Sequence, residues 1–168
     1  MNIILIGMRG SGKTTVAKNL AKKLDKTFYD LDSLLAEKEQ MPISEVVNKH
    51  GWDYFRDRES EIVKRISVQK NAVISTGGGV ILRKKNIDEL NKNGKFIFLK
   101  TSIETMVKRI NGNKNRPALT TQKTLKEEIE EVWNNRKGLY EQTADFTIET
   151  DNKTIEEIVN EITNNLAK

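Results

Sequence analysis

The sequence contains no cysteine, only one histidine and no apolar run long enough to cross a membrane. Without cysteine there is no disulfide framework and no thiol chemistry, which fits a reducing cytosol. The lone histidine, His50, stands beside Gly51 at an expected helix end, so we assign it no function. With no Cys/His cluster the sequence offers no zinc site, and no nucleophile–base pair points to acyl transfer.

Basic residues outnumber acidic residues only slightly. The 29 basic and 24 acidic residues leave a formal net charge of +5, most of which we attribute to a solvated lysine-rich surface. Such a charge suits small anionic ligands and is too mild to indicate a nucleic-acid partner. The apolar run over residues 3–6 is too short for the core of a signal peptide. We therefore expect a cytoplasmic protein without a membrane partner, folded as one domain over residues 1–168.

Glycine is concentrated in two places, because six of the ten glycines stand at 7, 10 and 12 and at 77–79. The first group, Gly7 to Thr14, fits the pattern G-x-x-x-x-G-K-[ST] of a phosphate-binding loop. An apolar strand precedes it and a helical pattern follows it, which is the context this motif requires. We expect its backbone N–H groups to surround phosphates, Lys13 to reach the outer phosphates, and the Thr14 hydroxyl to ligate Mg²⁺.

Short apolar runs alternate with helical patterns along the chain, and the central runs are apolar on both faces. This pattern predicts an α/β fold with a parallel sheet covered on both sides, and ligands outside the carboxyl ends of its strands. The expected strands are 2–6, 27–30, 72–75, 96–99 and 146–149. The expected helices are 13–24, 33–39, a turn capped by Ser44, 52–68, 84–92, 102–110, 124–142 and one capped by Thr154.

Asp30 and Asp32 end the second expected strand. If the segment is extended, residues two apart point to the same side, so both carboxylates should face one region above the sheet. Two acids so close repel each other unless a cation such as nucleotide-bound Mg²⁺ lies between them. A solvated turn is the alternative interpretation, but the neighbouring phosphate loop favours the cation.

Thr76-Gly77-Gly78-Gly79 follows a buried strand. It is either a flexible loop or a place where a ligand meets bare backbone.

Two arginines occupy positions where a helix pattern calls for apolar residues. Arg56 falls on the stripe that contains Trp52, and Arg136 falls on the stripe that contains Val132 and Tyr140. An inward arginine must find an anion, since an unpaired buried charge is strongly destabilising. Arg56 has Glu59 three residues away, so a structural pair and a ligand site are both open. Arg136 has no acid three or four residues away, which favours a carboxylate or phosphate of a ligand.

Arg116-Pro117 lies in an expected lid loop over 111–123, and Arg109 lies in the helix before it. A lid arginine over the phosphates would stabilise the transferred charge and exclude water, although either arginine alone could be a solvated side chain.

The class of phosphate-loop protein can be narrowed by what is missing. The sequence lacks the D-x-x-G and N-K-x-D motifs of GTPases, and its strands at 72–75 and 96–99 end in Ser75 and Lys100 rather than in an acid. The acids come from Asp30 and Asp32, which suits a kinase that holds a small-molecule hydroxyl in line with a γ-phosphate.

Six motifs follow one another along the chain: Gly7-x-x-Gly10-Ser11-Gly12-Lys13-Thr14, Asp30-Leu31-Asp32, Phe55-Arg56-x-x-Glu59, Thr76-Gly77-Gly78-Gly79, Arg116-Pro117 and Arg136-x-x-Leu139-Tyr140. In type and order these motifs resemble those of the shikimate kinase family over residues 1 to about 149. The resemblance implies three α/β/α layers around a five-stranded parallel sheet of order 2-3-1-4-5. It also implies transfer of the ATP γ-phosphate to the 3-hydroxyl of shikimate, in aromatic amino-acid biosynthesis, with ATP and Mg²⁺ as cofactors and a monomeric enzyme.

The resemblance also implies a role for each motif residue. The nucleotide would be held by Gly10, Ser11, Gly12, Lys13, Thr14, Thr15, Arg109 against adenine, and Arg116 as the lid residue. Mg²⁺ would be held by Thr14 and, through water, by Asp30. Shikimate would be bound by Asp32, Arg56, Gly77, Gly78, Gly79 and Arg136, with Glu59 orienting Arg56 and residues 33–62 forming a substrate-binding region. The catalytic residues would be Lys13, Arg116 and Asp32, the last as base or as the group that orients the nucleophile.

Two features depart from the family pattern, and two other functions stay open. The loop 151–153 has no proline where members often place one against adenine, and Arg9 replaces a small residue or proline, so we expect an outward-facing side chain there. A kinase for another hydroxy acid, such as gluconate, would share the phosphate loop but would not explain two inward arginines. A nucleotide-binding module without catalysis would not need the set of Lys13, Asp32 and Arg116.

Overall fold

Five parallel strands form one sheet in the order β2-β3-β1-β4-β5 in a computed structural model, which describes residues 1–111 and 123–167. The order predicted through the family resemblance is confirmed. Each strand pairs with its neighbours in register, for example Ile4 with Ile74 and with Phe96. The strands are β1 Asn2–Ile6, β2 Thr27–Asp30, β3 Ala72–Ser75, β4 Gly94–Lys100 and β5 Phe146–Glu149.

Helices cover both faces of the sheet, because alternate residues of the central strands are apolar on each side. Ile3 and Leu5 face a core built with α1 and α7, whereas Ile4 and Ile6 face a core built with helices α2 to α6. No helix in the described part of the chain is both long and apolar enough to span a bilayer. The helices are α1 Lys13–Lys23, α2 Leu31–Glu39, α3 Ile43–Ser67, α4 Lys84–Asn91, α5 Ile103–Ile110, α6 Leu125–Thr143 and α7 Ile155–Leu166, with a 3₁₀ turn at Val80–Leu82.

The start of α2 corrects one prediction. The helix begins at Leu31 rather than at Ser33, and Asp30 is its N-cap, whose Oδ1 accepts a hydrogen bond of 2.9 Å from the Ser33 amide. Asp32 therefore lies in the first helical turn and not in an extended segment. The spacing argument for the two acids was wrong because an aspartate at the end of a strand is also a favoured N-cap.

The segment after α2 corrects a second prediction. Helix α3 begins at Ile43 directly after Pro42, so Ser44 does not cap it. Gly51 interrupts the helix with φ 83° and ψ 171°, a backbone conformation that favours glycine, and thereby separates the two helical segments that the sequence indicated. The later helix starts agree with the sequence, since Thr124 with Glu127 and Thr154 with Glu157 both form capping boxes.

Candidate active site

Two adjoining cavities open at the carboxyl edge of the sheet. The larger, of about 480 Å³, is lined by Asp30, Arg56, Glu59 and Arg136 among others. The smaller, of about 200 Å³, is lined by glycines of the phosphate loop together with Lys13, Thr15 and Arg109. Thr14, Asp32 and Gly78 line both cavities. The structure therefore brings the sequence-predicted residues that it describes to these two cavities, apart from Ser11, which is buried within the phosphate loop. Arg116 and most of the expected lid loop lie outside the described residues.

The phosphate loop runs from the end of β1 into α1. Gly10 and Gly12 have φ values of 78° and 88°, left-handed conformations that glycine adopts without strain. The Lys13 ammonium lies across the loop and donates to the carbonyls of Gly7 at 2.9 Å and Met8 at 2.8 Å. The loop leads directly into the N-terminus of α1. Its backbone amides and the helix dipole therefore favour the binding of an anion there.

Thr14 and Asp30 bring a hydroxyl and a carboxylate together. Thr14 Oγ1 donates to Asp30 Oδ2 at 2.8 Å and lies 3.3 Å from Ser75 Oγ. Hard oxygen donors of this kind suit Mg²⁺, which keeps several waters and is commonly shared with substrate phosphates. No group of three or more His, Cys, Asp or Glu able to hold a metal occurs in residues 1–111 and 123–167.

Asp32 and Glu59 approach the same glycine. A Cβ atom on Gly77 would lie 2.8 Å from Asp32 Oδ1 and 2.9 Å from Glu59 Oε1, so the bare backbone leaves room for both carboxylates. Among the described residues none donates a hydrogen bond to Glu59 Oε1, although the atom is buried. A buried acceptor of this kind, beside the acid at the junction of the two cavities, marks a polar wall toward which ligand hydroxyls could point.

Arg56 is held from several sides while it lines the larger cavity. Its Nη1 donates to Glu59 Oε2 at 2.9 Å, and its guanidinium carbon lies 5.3 Å from the Trp52 ring centroid. Burial raises the pKa of Glu59, and the Arg56 guanidinium opposes that rise. The structural pair with Glu59 is thus confirmed. Both side chains line the cavity, and the ion pair with Glu59 restrains the direction in which the Arg56 guanidinium points.

Arg136 lines the cavity from α6, on the far side. Burial lowers the pKa of Arg136, and the nearby positive charge of Arg56 lowers it further. Within the described residues no salt bridge holds Arg136, which interacts instead with the phenol of Tyr140 one turn later. Burial raises the pKa of Tyr140 to about 12, so the phenol stays neutral and donates to the Gly78 carbonyl. Two neighbouring guanidinium groups in one cavity favour an anionic ligand.

Three interactions around the site were not predicted from the sequence. Arg9 was expected to face outward, but the side chain is 11% exposed and pairs with Glu128 of α6. The prediction was wrong because the partner is 119 residues away, so no local pattern reveals it. Tyr140 belonged to the expected apolar stripe, but nothing indicated its hydroxyl bond to Gly78.

The third missed interaction concerns the loop after β5, which lacks a proline. Asp151 accepts hydrogen bonds from the Ser102 amide at 2.8 Å and the Ser102 hydroxyl at 2.7 Å, and from Thr105. These bonds tie the loop to the start of α5. At the end of the same helix Arg109 Nη1 donates to the Gly10 carbonyl at 3.1 Å. The carboxylate thus fastens a loop that family members often build with a proline.

Comparisons with known proteins agree with this geometry. A family model described as shikimate kinase matches residues 9–167. Shikimate kinases of Caldanaerobacter subterraneus subsp. tengcongensis and Thermodesulfovibrio yellowstonii are each 42% identical over 161 residues, with 96% of this chain covered and 93% and 92% of theirs. The structure of an Acinetobacter baumannii shikimate kinase in complex with shikimate superposes with a TM-score of 0.94 at 31% identity, covering 99% of this chain and 92% of that one. The chain therefore belongs to the shikimate kinase family, ATP- and Mg²⁺-dependent phosphotransferases that act on an alcohol group.

Proposed function

We propose that the larger cavity binds shikimate and that the phosphate loop binds Mg·ATP, so that the γ-phosphate passes to the 3-hydroxyl of shikimate. The observation that carries the proposal is the meeting of the two cavities at Thr14, Asp32 and Gly78. An acceptor in one cavity and a nucleotide in the other would approach each other at this junction. Holding the two reactants in line supplies much of the catalysis in phosphoryl transfer.

The acceptor's carboxylate is assigned to Arg56 and Arg136. Both guanidinium groups line the larger cavity and lie close enough to influence each other's charge. A bound carboxylate would neutralise this repulsion and could accept bidentate hydrogen bonds from each planar group. The backbone of residues 77–79 would form the cavity wall, and Glu59 would keep Arg56 in place. Residues 33–62 supply Arg56 and Glu59 and are therefore proposed as the substrate-binding region.

The transferred phosphoryl group is assigned to the loop and its neighbours. The amides from Gly10 to Thr15 and the Lys13 ammonium would bind the phosphates, and Arg109 would lie against adenine. Thr14 would hold Mg²⁺ directly and Asp30 would hold it through water; the metal neutralises charge that develops on the phosphates. Asp32 would receive the proton that the 3-hydroxyl loses, or orient the hydroxyl. The role of Arg116 stays a prediction.

The organisation of the whole chain is also part of the proposal. We infer one domain over residues 1–168, which acts as a cytoplasmic monomer on a small molecule without a nucleic-acid partner. The modest net charge of +5 and the absence of cysteine support this inference.

The function is tested by following ADP release with shikimate, with gluconate and without an acceptor. The proposal predicts ADP release that requires shikimate, together with phosphorylated product. Release with gluconate but not with shikimate would identify a different acceptor. ATP binding without ADP release from any acceptor would indicate a module without catalysis.

Replacing Asp30 by asparagine is expected to raise the Mg²⁺ concentration needed for half-maximal rate by roughly 10- to 100-fold, as for other residues that support a metal indirectly. Asparagine is also a good N-cap, so α2 should remain capped and the unfolding temperature should change little. A Mg²⁺ titration at fixed ATP measures the effect, and Asp88→Asn, at an exposed surface pair on α4, is the control. An unchanged Mg²⁺ requirement would remove Asp30 from the metal site.

Replacing Gly79 by alanine is expected to raise the KM for shikimate by about tenfold, because the new methyl group would overlap the Arg56 guanidinium and displace it. Displacing Arg56 would also weaken its ion pair with the buried Glu59, so the unfolding temperature should fall as well. Gly138→Ala is a matched control, since its Cβ would meet nothing within 4 Å. Equal KM values for the two variants would contradict the placement of Arg56.

A further inference from the structure

The phosphate loop is joined to helix α6 by an ion pair that the proposed chemistry does not use. The Arg9 guanidinium contacts the Glu128 carboxylate, and the two side chains are 11% and 5% exposed. Arg9 belongs to the phosphate loop and also lines the larger cavity. Glu128 lies in the first turns of α6, 119 residues further along the chain. The pair therefore connects the nucleotide side of the site with the helix that carries Arg136.

One stripe of α6 faces the site along its length. Glu128, Val132, Arg136 and Tyr140 are spaced four residues apart and so lie on the same face of the helix. Val132 and Arg136 line the larger cavity, and Tyr140 donates to the Gly78 carbonyl. Arg136 thus stands between two fixed points, with Glu128 two turns before it and Tyr140 one turn after it.

The two fixed points attach to neighbouring backbone. A Cβ atom on Gly78 would lie 3.4 Å from the Arg9 amide nitrogen, so the phosphate loop and the Gly77–Gly79 segment are in contact. Glu128 and Tyr140 therefore anchor α6 to adjacent parts of one surface. A buried ion pair adds little net stability compared with apolar packing, but removing one partner is strongly disruptive. Its best-supported use is to specify one arrangement among several.

We propose that Arg9 and Glu128 form a positioning pair that fixes α6 against the phosphate loop and so aims Arg136 at the acceptor's carboxylate. The inference rests on the proposed function, in which Arg136 binds that carboxylate. Neither residue of the pair contacts the reacting atoms in this account.

The test is a shikimate titration of the whole enzyme in the presence of Mg·ADP, followed by tryptophan fluorescence because Trp52 lines the cavity. Arg9→Met and Glu128→Gln are each expected to raise the Kd for shikimate by about tenfold, and the double variant by no more than either single one. Arg9→Lys keeps the charge and should bind shikimate within about threefold of the unaltered enzyme. The exposed pair of Lys137 and Glu141, on the same helix α6, provides the control, and Glu141→Gln should change nothing.

The sign of the Glu128→Gln effect decides between positioning and direct binding. If Arg9 itself held the carboxylate, freeing it from Glu128 would leave shikimate binding unchanged or tighten it, and the inference would be overturned. Additive losses in the double variant, or a lower unfolding temperature with an unchanged Kd, would overturn it as well. The proposed function is tested separately by Arg136→Ala, because unchanged binding in that variant would remove the carboxylate assignment whatever the ion pair does.

Discussion

Asp32→Asn is expected to lower kcat by about 1000-fold, within the range found for positioned proton acceptors. Asparagine has nearly the same shape and can still hydrogen-bond the acceptor's hydroxyls, but it cannot take a proton. Asp32 lines both cavities at their junction, where the attacking hydroxyl would stand. The KM for shikimate should therefore change far less than kcat. Steady-state rates with both substrates saturating measure the effect.

An acid outside the site gives the matched control for this variant. Asp88 lies on α4 and pairs with Lys84 at the surface, so Asp88→Asn should leave kcat within about twofold. Phosphate-transfer rates in a single turnover would show whether chemistry, rather than product release, has slowed. If Asp32→Asn retained kcat within about tenfold, Asp32 would only orient the hydroxyl and would not accept its proton.

Arg136→Ala is expected to raise the KM for shikimate by about 100-fold, the size of loss that follows when one partner of a buried charge pair is removed. The KM for ATP should stay nearly constant, because Arg136 does not line the smaller cavity. If Arg136 binds the acceptor equally well in the ground state and in the transition state, its removal should raise KM more than it lowers kcat. Steady-state kinetics with each substrate varied in turn separates these quantities.

The charge on the acceptor supplies the control for the second variant. Shikimate methyl ester lacks the carboxylate, so the unaltered enzyme should bind the ester weakly. The Arg136→Ala substitution should not weaken the binding of the ester any further. Arg65→Ala removes an exposed arginine from α3 and should leave both KM values unchanged. If Arg136→Ala weakened the binding of the ester as much as that of shikimate, Arg136 would contribute to the shape of the cavity and not to recognition of the carboxylate charge.

The fold could be predicted from the sequence wherever the signal is local. Gly7 to Thr14 combines a strand end, a glycine loop and a helix start within a few residues, and the structure has each of them where the motif places them. Arg56 and Arg136 stood out because each interrupts an apolar stripe, and both line the larger cavity. In these cases the residues that form the sequence pattern are the same residues that form the loop or line the cavity.

Local reasoning failed where two local rules compete or where the partner is distant. Asp30 fits both the end of a strand and the cap of a helix, and the cap prevails, so Asp32 joins α2. Arg9 and Glu128 meet only after the sheet and α6 have assembled, and Tyr140 reaches Gly78 in the same way. Such contacts depend on tertiary packing, for which a single sequence carries no periodic signal.

A crystal structure of the enzyme with Mg·ADP and shikimate would show directly whether Arg56 and Arg136 bind the acceptor's carboxylate. We expect the shikimate carboxylate within hydrogen-bond distance of both Arg56 and Arg136, with the 3-hydroxyl beside Asp32 and directed toward the phosphate loop. A carboxylate bound away from these two arginines, or a 3-hydroxyl turned from the phosphates, would contradict it.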